Sequence, residues 1–163
     1  MANPDKIFLL SHPAHFVALG AGIGLAPKAP GTLGTLLGYP LAWASLQCLG
    51  WLAWMLVAVA FVLGVWACEK SGRDMGVADH GSMVWDEVVA MWAVLLVVPM
   101  TWIAWVAAFA LFRLFDILKP FPIGWFDRKV KGGFGVMLDD TLAAGYVLLV
   151  FWLARYLPSG WHP

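Results

Sequence analysis

Long stretches without a single charged side chain are the feature that most restricts the fold of this sequence. Residues 29–68, 88–112 and 141–154 contain no Asp, Glu, Lys or Arg. An α-helix needs about 20 apolar residues to cross the hydrocarbon core of a bilayer. The chain is 62% hydrophobic and only 12% charged, which is far from the balance of soluble domains. These stretches predict an all-α, polytopic membrane protein.

The first and last stretches divide readily into helices. The first fits one helix that begins near Thr32, a suitable N-cap, and is bent by Pro40. A second helix would run over residues 51–68, after the Leu-Gly pair that precedes Trp51. The last stretch predicts one helix over residues 141–157.

The middle stretch allows two interpretations: one long span, or a hairpin that turns at Pro99-Met100-Thr101. Pro would end the first arm, over about residues 83–98, and Thr would cap the second, over about residues 102–118. The hairpin places nine of the ten Lys and Arg residues on one face of the membrane, with Arg155 opposite. Such a face is cytoplasmic. We therefore predict a single domain over residues 1–163, with about five membrane helices and with charged loops and helix ends on the cytoplasmic side.

Charge balance and cysteine usage exclude several classes of protein. The ten basic residues cancel the ten acidic ones, so the chain lacks the basic face that nucleic-acid binding requires. Cys48 and Cys68 both lie in apolar runs and predict buried or lipid-facing thiols, not a disulfide framework or a zinc site. His12 and His15 are expected at the membrane interface. Nothing in the sequence favours one oligomeric state over another.

Acidic residues gather at three predicted helix ends on the cytoplasmic side: Asp86-Glu87, Asp116 and Asp139-Asp140. Adjacent helical residues point about 100° apart, so one member of each pair can face a common centre. Three carboxylates from three helices form a hard-oxygen site, which suits Mg²⁺ better than zinc. The alternative for each acid alone is a solvated helix end.

A run rich in Gly and Pro, residues 20–34, ends where a helix is predicted to begin. Free N–H groups at a helix N-terminus bind phosphate, and Lys28 and Thr32 could add to such a site. The same glycines could instead allow close packing between helices.

Two further groups accompany the acids. Arg113, Asp116 and Lys119 follow one another at i, i+3 and i+6 on a helical stripe, which is also the spacing of simple intrahelical charge pairing. Asp79-His80 lies on the loop before Asp86. His80 there is either a structural loop residue or one that faces phosphate or transfers a proton.

Five segments in the same order together resemble the phosphatidylglycerophosphatase A family. They are residues 22–34 (GIGLAPKAPGTLG), 79–87 (DHGSMVWDE), 113–123 (RLFDILKPFPI), 125–128 (WFDR) and 132–140 (GGFGVMLDD), within about residues 12 to 157. The resemblance implies an all-helical protein of the bacterial inner membrane whose site faces the cytoplasm. It also implies Mg²⁺-dependent removal of the terminal phosphate from phosphatidylglycerophosphate, the last step of phosphatidylglycerol synthesis.

The resemblance also implies a set of site residues. The acids in the family motifs are Asp79, Asp86, Glu87, Asp116, Asp127, Asp139 and Asp140, and the basic residues are Lys28, Arg113, Lys119 and Arg128, with His80. We expect Glu87, Asp116 and Asp140 to bind Mg²⁺, which would polarise the phosphoryl oxygens. Asp86 and Asp139 would orient ligands or act as base, with Asp79 and His80 as further catalytic residues. Lys28, Thr32, Arg113, Lys119 and Arg128 would bind the substrate phosphate. No activated Ser or Cys and no phosphorylatable Asp motif is visible, which favours direct attack by water.

Two other classes of function stay open on the spacing alone. A transporter or channel for a divalent cation also gathers carboxylates, but deep within the spans or on both sides. The acids here lie at one edge, and no polar path crosses the predicted spans. A purely structural membrane subunit would not need three acidic groups on one face.

Overall fold

Helices account for all the regular structure in residues 4–156, the part of the chain that this computed structural model describes. The elements are α1 (Lys6–Ser11), α2 (Pro13–Ala18), a 3₁₀ segment (Gly20–Leu25), α3 (Pro30–Cys48), α4 (Leu52–Met75), α5 (Trp85–Leu95), α6 (Trp102–Leu118), α7 (Ile123–Lys129) and α8 (Gly132–Ala154). The predicted all-α fold is confirmed.

Helix α5 is the central element of the bundle. It packs against α3, α4, α6 and α8, and its Val88, Met91 and Leu95 side chains are fully buried. The indole Nε1 of Trp92 donates a hydrogen bond to Ser45 Oγ of α3 at 3.1 Å. Burial on all sides explains why α5 is apolar around its whole circumference beyond its first turn.

The charge-free stretch of residues 88–112 is divided between two helices, as the hairpin interpretation predicts. Helix α5 ends at Leu95 and α6 begins at Trp102, where Thr101 Oγ1 accepts a hydrogen bond from the N–H of Ala104 at 3.2 Å. Thr101 is therefore the predicted N-cap of the second arm. The single-span interpretation is wrong for residues 88–112.

Two helices in the described part of the chain, α4 and α8, are long and apolar enough to cross a membrane. Their best windows have mean hydropathies of 2.0 and 1.6. With 11 and 17 residues, α5 and α6 are shorter than the roughly 20 residues that a full span needs. The structure therefore contains two candidate membrane-spanning helices among the described residues, and the predicted number of about five is not confirmed.

Helix boundaries differ from the prediction where charged residues continue a helix. Helix α4 extends past Cys68 to Met75, because its last turns are held by pairs four residues apart, Arg73 with Glu69 at 2.6 Å and Lys70 with Asp74. The end of a charge-free run is therefore not the end of the helix.

Helices α3 and α8 both begin earlier than predicted. Pro30 occupies the first turn of α3, a position that its fixed φ favours, so Thr32 is not the N-cap. Helix α8 begins at Gly132, nine residues before Thr141, and Asp139-Asp140 consequently lie inside a helix rather than at its end. The predicted C-terminal residue of that helix, Leu157, lies outside the described residues.

Candidate active site

Helices α5 and α8 bring three carboxylates together. Asp86 and Glu87 lie in the first turn of α5, where the helix dipole favours negative charge. One oxygen from each of these residues and one from Asp140 of α8 all lie within 4.8 Å of one another. Asp86 and Asp140 are only 8% and 3% exposed. We call these three residues the carboxylate cluster.

The carboxylate cluster contains oxygens with no hydrogen-bond partner. Among residues 4–156, neither Glu87 Oε2 nor Asp140 Oδ2 finds a donor, although both atoms are buried. Burying charge without a partner is costly, and adjacent carboxylates repel one another unless a cation lies between them. A set of carboxylate oxygens is also the donor type that Mg²⁺ prefers. The residues present therefore fit a bound divalent cation.

The C-terminal end of α6 lies against this cluster. Arg113 Nη1 is 2.7 Å from Asp116 Oδ2 and 3.6 Å from Glu87 Oε1. Asp116 lies close enough to Asp140 for the two carboxyl groups to interact. The acidic groups that the sequence placed at separate helix ends thus share one site.

The N-terminus of α3 also reaches the carboxylate cluster, at Gly31. A Cβ atom at this position would lie 2.1 Å from Glu87 Oε1 and 3.3 Å from Arg113 Nη1, so only glycine allows this approach. The free N–H groups of the first turn of α3 are consequently close to the cluster, as an anion site requires. Close packing and anion binding, which the sequence presented as alternatives, are compatible at Gly31.

The cluster differs from the predicted ligand set in one member. The prediction joined Glu87 and Asp140 with Asp116, whereas the carboxylate cluster contains Asp86 instead. Asp86 Oδ1 accepts a hydrogen bond from the N–H of Glu87 at 3.1 Å, and Asp116 is paired with Arg113. The sequence spacing predicts the direction in which each residue leaves the helix axis, but it does not predict the rotamer of its side chain.

A second charged group, centred on Lys119, adjoins the cluster. Lys119 Nζ lies 2.9 Å from Asp127 Oδ1 of α7 and 2.5 Å from Asp139 Oδ2 of α8. Burial acts to lower the pKa of Lys119, but the hydrogen bonds to the two carboxylates outweigh it and the pKa is raised. Lys119 is therefore charged throughout the neutral pH range.

Asp139 joins the two groups. Its Oδ1 accepts a hydrogen bond from the N–H of Asp140 at 3.0 Å, while its Oδ2 binds Lys119. Asp79, on the loop before α5, lines a cavity of about 270 Å³ together with Asp127 and other residues. Lys119 thus holds Asp139 next to the carboxylate cluster.

Four predicted site residues have less defined surroundings. Lys28 and Arg128 are exposed and have no ion-pair partner within the described chain. Thr32 follows Gly31 in the first turn of α3. His80 Nδ1 accepts a hydrogen bond from the N–H of Ser82 at 3.2 Å, which leaves its Nε2 as the N–H donor.

One polar contact was not predicted at all. His15 is 3% exposed. Its Nε2 lies 2.7 Å from Asp74 Oδ2, and its Nδ1 lies 2.9 Å from Ser11 Oγ. This contact ties α2 to the end of α4. No local signal reveals a partner 59 residues away in sequence.

Comparison with known proteins agrees with the geometry of the site. The sequence model of the family described as Phosphatidylglycerophosphatase A matches residues 16–155. A protein of Haemophilus influenzae named Phosphatidylglycerophosphatase A is 49% identical over 156 residues, which cover 94% of this chain and 96% of that protein. Its namesake in Escherichia coli is 43% identical over 157 residues, covering 93% and 89%. No solved structure matches the chain. Since the family match covers most of the chain and both relatives align almost end to end, this protein is a phosphatase that belongs to the phosphatidylglycerophosphatase A family.

Proposed function

We propose that this chain is a Mg²⁺-dependent lipid phosphatase of the bacterial inner membrane. It hydrolyses the terminal phosphomonoester of phosphatidylglycerophosphate to phosphatidylglycerol and inorganic phosphate, the last step of phosphatidylglycerol synthesis. The observation that carries this proposal is the carboxylate cluster, with two buried unpartnered oxygens next to Arg113.

Asp86, Glu87 and Asp140 would hold the cation, with Asp116 as the neighbouring fourth carboxylate. A bound Mg²⁺ supplies Lewis-acid polarisation of phosphoryl oxygens and lowers the pKa of water. In its absence the same residues repel a phosphate, so the protein's own acids make activity depend on the ion.

Positive groups around the cluster would bind the substrate phosphate. Arg113 is partly buried and lies beside Glu87, and guanidinium suits planar recognition of phosphate oxygens. The N–H groups at the start of α3 add partial positive charge, with the Thr32 hydroxyl one residue beyond Gly31. The exposed ammonium of Lys28 and guanidinium of Arg128 would attract the lipid headgroup from the cytoplasm.

Asp139 and Lys119 would act mainly by holding Asp140 in its orientation. Both oxygens of Asp139 are already engaged, by Lys119 and by the N–H of Asp140, which favours orientation of Asp140 over proton abstraction. One N–H donor of Lys119 stays available for a phosphate oxygen, since an ammonium has three. Asp86, whose Oδ1 accepts the N–H of Glu87, would likewise act through the cation, and Asp79 and the Nε2–H of His80 would serve the leaving oxygen from the loop before α5.

The membrane arrangement belongs to the same proposal. Helices α4 and α8 would cross the bilayer, and α3 with the α5–α6 hairpin would complete a bundle of five. Because α5 is enclosed by other helices, its 11 residues need not match the full hydrocarbon thickness. The basic loops and the carboxylate cluster would face the cytoplasm, following the positive-inside rule.

Phosphate release from phosphatidylglycerophosphate by the purified chain in detergent tests the function. We expect release with Mg²⁺, none with EDTA, and a loss of about 100-fold in kcat/KM for Glu87→Gln, as for other changes at metal-ligand shells. Asp5→Asn, an acid at the N-cap of α1 far from the site in sequence, is the matched control. Absence of release with Mg²⁺ from wild-type protein would leave a divalent-cation transporter as the better explanation of the cluster.

A further inference from the structure

An apolar groove of about 570 Å³ lies between α1 and the turn that precedes α3. Its walls include Leu9 of α1, Ile23 and Leu25 of the 3₁₀ segment, and Leu33 of α3, and Lys6 also lines it. The volume is within the range of small-molecule sites. The lining suits a hydrocarbon rather than a polar group, with a positive charge beside it.

The 3₁₀ segment that walls the groove packs against the loop before α5, since a Cβ at Gly24 would lie 1.9 Å from Ser82 O. Gly31 of α3 approaches Glu87 Oε1 so closely that no Cβ fits between them. Leu33 is two residues further along the same helix, which is a rise of about 3 Å. Leu33 points about 200° away from Gly31 around the helix axis, so the groove and the cluster lie on two sides of the first turn of α3.

The backbone of the turn is held in an unusual conformation. Gly20, Ala21 and Gly22 have φ values of 55°, 56° and 102°, and Ala29 has a φ of 46°. Non-glycine residues in the left-handed region cost free energy and tend to persist where a binding site needs them. Ala21 and Gly22 both line the groove, so the strained backbone shapes its wall.

An apolar stripe continues from the groove along α3. Leu33, Leu36, Pro40 and Trp43 are all exposed, and their spacing of three and four residues puts them on one face of the helix. The stripe is about 15 Å long at the α-helical rise. It extends from the groove toward the C-terminal end of α3.

We infer that the groove and this stripe bind one acyl chain of the lipid substrate while its terminal phosphate lies at the carboxylate cluster. The inference rests on the proposed function. Lys6 supplies positive charge next to the apolar lining, which is the combination that an anionic phospholipid requires. The alternative occupant is bulk membrane lipid without any preference for the groove.

A bulky side chain at Leu33 tests the inference. Leu33→Trp fills the groove, and Leu46→Trp makes the same change on the same helix about 20 Å away. We compare kcat/KM in mixed micelles for dioleoyl and dibutyroyl phosphatidylglycerophosphate. The displaced chain stays in the hydrocarbon of the micelle, so only its contacts with the groove are lost, and we expect the long-to-short ratio to fall severalfold in Leu33→Trp and to stay unchanged in Leu46→Trp.

Each outcome of this comparison decides between the occupants. An unchanged ratio in Leu33→Trp, or an equal fall in Leu33→Trp and Leu46→Trp, would overturn the inference. A wild-type chain that releases phosphate from neither lipid would instead overturn the proposed function.

Photo-crosslinking reports on the groove independently of catalysis. The probe is phosphatidylglycerol with a diazirine on one acyl chain, bound to the full wild-type chain in detergent. We expect labelled peptides from residues 9–10 and 23–36, and at least a severalfold loss of that label in Leu33→Trp. Label confined to the exposed faces of α4 and α8 would show that the groove binds no acyl chain.

Discussion

At the scale of single residues, the site depends on groups that are unfavourable in isolation. Asp86 and Asp140 are buried beside Glu87 with too few hydrogen-bond donors to balance them. Arg113 offsets part of this charge, and a bound cation would offset the rest. Gly31 matters for the space it leaves, since the α3 backbone occupies the place of a side chain.

Gly31→Ala should damage the site while leaving the fold intact. The new Cβ would lie 2.1 Å from Glu87 Oε1, which forces the carboxylate to move, and a displacement of about 1 Å near reacting groups costs up to about 100-fold in rate. Gly145→Ala on α8 is the control, because nothing lies within 4 Å of its added Cβ. Steady-state phosphate release measures both. Equal activity in the two variants would show that the approach of α3 to Glu87 is unimportant.

Lys119→Met should lower kcat more than it raises KM. The change leaves Asp127 and Asp139 without their shared cation, so Asp139 no longer holds Asp140, and loss of such support typically costs about 10- to 100-fold. Lys119→Arg keeps the charge and should recover part of kcat. A rise in KM alone would instead assign Lys119 to phosphate binding.

At the scale of elements, the contact between α3 and α5 fixes the position of the carboxylate cluster. Gly34 and Gly38 let α3 approach α5 so closely that added Cβ atoms would meet Val84 at 2.8 Å and Met91 at 3.0 Å. Ser45 extends the contact through its hydrogen bond to Trp92. Small residues at i, i+4 intervals allow such packing in membrane helices.

Gly38→Leu should destabilise the protein by about 1–3 kcal/mol through overpacking of this contact. Ala44→Leu adds a side chain of the same kind at an exposed position of α3 and should leave stability nearly unchanged. Thermal unfolding in detergent, followed by circular dichroism, measures the difference. Equal melting temperatures for Gly38→Leu and Ala44→Leu would show that close packing of α3 on α5 does not contribute to stability.

At the scale of the whole molecule, the sequence predicted the α5–α6 hairpin but not which carboxylates lie closest together. Pro99 and Thr101 carry local signals for a helix end and an N-cap, and local signals are independent of the rest of the fold. The choice of Asp86 over Asp116 depends on side-chain bends and on the pair with Arg113, which only the packed structure shows. The early start of α8 was missed because its first turns contain glycines.

Cysteine labelling should place the site on the cytoplasmic side of the membrane. In a background without Cys48 and Cys68, a membrane-impermeant maleimide added to intact cells should label Met100→Cys at the α5–α6 turn. Gly81→Cys and Phe121→Cys, exposed positions near the site, should react only after lysis, following the positive-inside rule. Labelling of position 81 or 121 from outside would reverse the orientation.

Direct metal binding tests whether the carboxylate cluster holds a divalent cation. Mn²⁺ titrated into the purified chain and followed by electron paramagnetic resonance should bind, be displaced by Mg²⁺, and bind at least about tenfold more weakly to Asp140→Asn. Asp5→Asn should bind like wild type. Mn²⁺ binding of equal strength in wild type and Asp140→Asn would show that the carboxylate cluster is not the cation site.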